Sequence, residues 1–107
     1  MYYNGEGVPK DDKTAVKWRK LAAEQGNADA QHDLGWMYEY GGGGVRQNDV
    51  YAHVWWNIAA SSGKMQMYPT KNAEENRDLI ANRMNSSQLE KAQDLAVECV
   101  RKKYKGC

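Results

Sequence analysis

Residues that carry chemistry are scarce in this chain. Its 107 residues include two cysteines and two histidines, too few cysteines for a disulfide scaffold. His32 and His53 have no second His or Cys at helical spacing, so neither a metal nor a cofactor is expected. The formal net charge is only +1, which gives no global attraction to nucleic acid or to an acidic membrane. No apolar run approaches the roughly 20 residues of a membrane span. The opening Met1-Tyr2-Tyr3-Asn4-Gly5-Glu6 lacks the basic region and apolar core of a signal peptide. A cytoplasmic location is therefore expected, with a periplasmic one open if the chain is part of a longer exported protein. The length suits a single domain.

What the chain does have is internal repetition, which is sought first because it decides architecture. Met1-Tyr2 returns as Met37-Tyr38 at an offset of 36, and after an extra glycine in Gly41-Gly42-Gly43-Gly44 the offset becomes 37. At that offset Val8 matches Val45, Ala15 matches Ala52, and Trp18 matches Trp55. Leu21 matches Ile58, Ala22-Ala23 matches Ala59-Ala60, and Gly26 matches Gly63. Small, aromatic and turn residues all come back in phase.

The repeated segments read as helices. Ala30, Leu34, Met37 and Tyr38 make an apolar stripe at three- and four-residue steps, and so do Ala15, Trp18, Leu21 and Ala22. Asp11 and Asn48 are N-cap types in equivalent positions, and Gly26 and Gly63 suit the left-handed residue that closes a helix. Helices are predicted over about 12–25, 28–40 and 49–62. Pro69 bars a helix from running through the connection after Lys64. A fourth helix is predicted over about 72–83, and a fifth up to about Tyr104. The fifth opens on Asn85-Ser86-Ser87-Gln88, which has the form of a capping box. A helix pair of this kind cannot bury both faces alone, so it stacks on its copies. Trp18 and Trp55 are expected to be buried between helices.

Leu34-Gly35-Trp36-Met37-Tyr38, Gly-x-Gly-Val, an acidic cap, Ala-x-x-Trp, Ala-Ala-x-x-Gly and Ala30-Gln31 together resemble the Sel-1-like repeat family, itself similar to tetratricopeptide repeats. The resemblance is strong over residues 1 to 63. It implies an all-α fold, a short right-handed α-solenoid of antiparallel helix pairs. Residues 1–26 would be a truncated first repeat, 27–63 a full repeat, and 64–107 a C-terminal capping helix pair. On that arrangement Arg19 would face solvent, and Trp56 at the matching position would be covered by the terminal pair. A cysteine-rich branch of the family is similar in stapling helices across Cys-x7-Cys. Cys99 and Cys107 have that spacing but fall at the chain's end, so a buried thiol and a free tail thiol are expected instead.

Signs of catalysis are weak. Gly41 to Gly44 follows a helix and lacks the Lys-Ser or Lys-Thr of a phosphate loop. Glu74-Glu75 and Asp11-Asp12 are neighbours that point apart at helix starts. Asn85-Ser86-Ser87 fits an N-glycosylation pattern that capping already explains. The basic tail Arg101-Lys102-Lys103 suits a helix C-terminus and has no aromatic platform for nucleic acid. An enzyme alternative, a hydrolase of the β-lactamase or penicillin-binding type, would need a Ser-x-x-Lys pair, and none is expected.

The resemblance instead implies a non-catalytic scaffold or adaptor for protein–protein interaction, often in bacterial signalling or envelope stress; a spacer within a longer array is the structural alternative. The candidate partner-binding residues are His32, Asp33, Trp36, Glu39 and Tyr40, which lie off the packing stripe of their helix. Trp36 could equally pack against the next repeat. Met1-Tyr2 matches only the last turn of a repeat's first helix. The apolar residues Val16, Trp18 and Leu21 are therefore candidate contacts of a homodimer built through residues 1 to 25, unless a missing helix precedes Met1.

Overall fold

The computed structural model describes residues 12–42, 44–67 and 69–107. The Asp11 cap and the Met1-Tyr2 and Val8 matches lie outside the described residues. Five helices follow one another: α1 (Asp12–Glu24), α2 (Ala28–Tyr40), α3 (Asp49–Ser62), α4 (Thr70–Ala81) and α5 (Ser86–Arg101). The caps explain the boundaries. The side chain of Asn27 accepts the Ala30 N–H at 2.9 Å, and that of Asn48 accepts the Tyr51 N–H at 3.1 Å. Each thereby satisfies an amide that the first helical turn leaves open. Asn85 and Gln88 form the expected reciprocal box, at 2.8 and 2.9 Å. Gly63 closes α3 in the left-handed conformation, with φ 65°. The fourth helix begins two residues earlier than its pattern indicates. Pro69 stands at its N-cap without a side-chain bond, a place where a missing N–H costs nothing.

Helix α3 is the centre of the stack, because α2, α4 and α5 all pack against it. Its residues Ala52, Val54, Trp55, Trp56, Ile58 and Ala59 are buried. Leu34 from α2, Ile80 and Met84 from the fourth helix and the turn after it, and Ala92, Ala96 and Cys99 from α5 complete the core. Helix α1 adds Ala23 and packs on α2, where the buried Gln31 amide donates to the Ala23 carbonyl at 3.1 Å. The terminal helices α4 and α5 rest on α3 far more than on each other.

Three expectations are corrected. Trp55 is buried, but its repeat mate Trp18 is 63% exposed, because among the described residues α1 has a neighbour, α2, on one side only. Trp56 is buried, and α2 supplies part of its cover: its indole N–H donates to the His32 carbonyl at 3.1 Å, and the ring lies so close over Gly35 that a Cβ there would overlap it. Arg19 turns from solvent to pair with Asp33 at 3.2 Å. Finally, Cys99 and Cys107 are joined in a disulfide. Lys103 and Tyr104 both take positive φ, 56° and 69°, and reverse the chain, with the Tyr104 N–H donating to the Cys99 carbonyl at 2.8 Å. The tail folds back, which brings Cys107 beside Cys99 and lays the Tyr104 ring against Gly26.

Candidate interaction surface

The exposed face of α2 is built from a second stripe of the helix whose first stripe enters the core. Asp29, Asp33, Trp36 and Tyr40 recur at steps of four, three and four, so they share one side. Trp36 and Tyr40 are stacked, with ring centroids 5.5 Å apart and planes within 2°. Trp36 is 36% exposed and Tyr40 71%. The edge of Trp36 meets Trp56 at 5.4 Å, with the planes at 81°, a favourable arrangement of aromatic quadrupoles. Trp36 thus packs on α3 of its own repeat and still shows a third of its surface.

The remaining candidates behave differently. His32 is buried and cannot meet a partner; its Nε2 lies 3.1 Å from the Asn76 amide nitrogen on α4. Burial lowers its pKa below the usual histidine value, against the opposing pull of Asp33 and Asp29. A neutral imidazole there can accept from the Asn76 amide. Asp33 is engaged by Arg19, and Glu39 by Arg83 at 3.2 Å. Arg83 also bonds Asp49 at 3.0 and 3.1 Å; that hydrogen bonding holds the Asp49 carboxyl below its usual pKa. Asp29 accepts the Gln66 and Met67 N–H groups. Of the residues assigned to a dimer contact, Val16 is buried within the chain, whereas Trp18 and Leu21 are exposed.

The sequence pattern missed the other wall of this surface. Asn76, Leu79 and Arg83 are spaced at steps of three and four along α4 and the turn after it. Asn76 reaches His32 and Arg83 reaches Glu39, and Leu79, between them in the sequence, is 68% exposed. In the sequence Leu79 reads with Ala73, Ile80 and Met84 as one apolar set, which gives no signal that it stays exposed.

Chemistry of other kinds finds little support. Ser61-Ser62-Gly63-Lys64 does spell Ser-x-x-Lys, contrary to the expectation that no such pair occurs. However, Gly63 turns left-handed between the two residues and both ends are exposed, so α3 stops before it could set Lys64 one turn from Ser61. Among the described residues, no group of three or more His, Cys, Asp or Glu is placed to hold a metal ion. Among the same residues, no helix is long and apolar enough to cross a membrane.

Stacked helix pairs with a capped, glycine-closed unit define a helical repeat protein. The Sel1 repeat model matches residues 1–27 and 28–64, and the chain belongs to that family. Its repeats are generally protein-interaction modules and typically non-catalytic. Helices α4 and α5 lie beyond the second match. No curated protein and no solved structure matches the chain.

Proposed function

We propose that the protein is a non-catalytic interaction scaffold that seats a protein or peptide partner along Trp36 and Tyr40, with Leu79 opposite. The observation that carries this is the stacked pair itself. Two large rings held in register on a rigid helix lose little freedom on binding, and exposed aromatics of this kind anchor interfaces. The test is affinity capture from the source cell with the parent and with a Trp36→Ala, Tyr40→Ala double variant. The double variant keeps its helical circular dichroism and loses the partner; capture that is unchanged would move the site to another face.

A second copy of the chain is a further partner on this account. Trp18 and Leu21 stand three residues apart on the exposed side of α1, and an exposed apolar patch favours association. The Cys99–Cys107 disulfide supports an oxidising compartment over the cytoplasm, since such bonds persist where thiols are not kept reduced.

A further inference from the structure

We propose that the segment seated on the α2–α4 surface is a peptide carrying an arginine or lysine next to an aliphatic residue. This rests on the reading of that surface as the partner site, and it names the partner's chemistry. The first ground is charge. Four carboxylates, Asp29, Asp33, Glu39 and Asp49, border the surface, while among the described residues two guanidiniums, Arg19 and Arg83, pair with them. Around Arg83 one cation lies between two carboxylates, Glu39 and Asp49. The second ground is the ring geometry. Trp36 covers one face of Tyr40, and with the residue 71% exposed the other face is open. An aromatic face attracts a cation placed over it, and a neighbouring carboxylate adds to the pull. The third ground is Leu79, whose exposed side chain, on the helix whose Asn76 reaches His32 of α2, offers a contact to an aliphatic neighbour. An acidic segment would meet like charge here and gain nothing from the rings.

Random dodecapeptides displayed on phage, panned against the whole chain, test this. Enriched sequences should pair Arg or Lys with Leu, Ile, Val or Met. One of them, made with a fluorescent label, is then titrated by anisotropy. Glu39→Gln with Asp49→Asn should weaken it about two- to fivefold, and Arg83→Gln should strengthen it by a similar factor at low salt. Opposite directions from two partners of one ion pair cannot come from a loss of structure, which would weaken both. Enriched peptides that are acidic or uncharged, yet lost with Trp36→Ala and Tyr40→Ala, would overturn the basic partner and leave the surface standing. Peptides indifferent to the aromatic pair, or no enrichment at all, would overturn the surface itself.

Discussion

Gly35 shows how much of the packing turns on single atoms. The α2 backbone meets the Trp56 indole there with no room for a methyl group, so Gly35→Ala should cost about 1–3 kcal/mol through overpacking. Trp55, wholly enclosed, should cost about 3–5 kcal/mol when cut to alanine. Thermal melts followed by circular dichroism read both, and an unshifted melt for Trp55→Ala would mean that the helix register is wrong. His32 and His53 make a third case. Burial lowers the pKa of each, and Arg77 lowers that of His53 further. Below the ordinary value of 6.5 the unfolded chain takes up protons that these native side chains refuse. Their contribution is complete above about pH 6.5 and is lost as the pH falls toward the depressed native values. Denaturant midpoints measured from pH 7.5 to 5 should therefore decline, and His53→Gln should flatten the decline.

At the scale of elements, the C-terminal tail is the part the repeat pattern does not reach. Left-handed residues at Lys103 and Tyr104 turn it back, and the disulfide closes an eight-residue separation. Cross-linking a loop of that size removes about 2–3 kcal/mol of unfolded-state entropy. Reduction, or Cys107→Ser, should lower the melting temperature by roughly 8–20 °C for a chain of this length. Equal melts with and without reductant would mean that the bond does not form. Spacing alone could not decide this pairing, because two non-glycine residues at positive φ carry no distinct sequence mark. The helix boundaries were another matter. Asn27, Asn48, Asn85 and Gly63 stand where caps are needed, and the first three helices were legible nearly to the residue.

The whole molecule was legible wherever the repeat was in phase, and misread where identical residues meet different neighbours. Trp18 and Trp55 occupy one repeat position, yet among the described residues α2 alone flanks α1, while three helices enclose α3. The slot that Gly35 leaves for Trp56 on α2 is likewise invisible in the repeat alignment. The candidate surface was half readable for a similar reason. Trp36 and Tyr40 are legible from helical spacing, but Leu79 and Arg83 join them only through the packing of α4. Exposure of Trp18 and Leu21 carries its own prediction. Light scattering over a concentration series should show a dimer at micromolar protein, and Leu21→Glu should shift it to monomer; a monomer throughout would show that the α1 face does not self-associate.

A photo-cross-linking residue at position 40 tests the central claim most directly. In the source cell, benzoyl-phenylalanine in place of Tyr40 should yield a discrete protein adduct on irradiation. The same residue in place of the exposed Glu90 on α5 should yield none. Adducts from position 90 with none from position 40 would contradict an interaction scaffold that works through the aromatic face of α2.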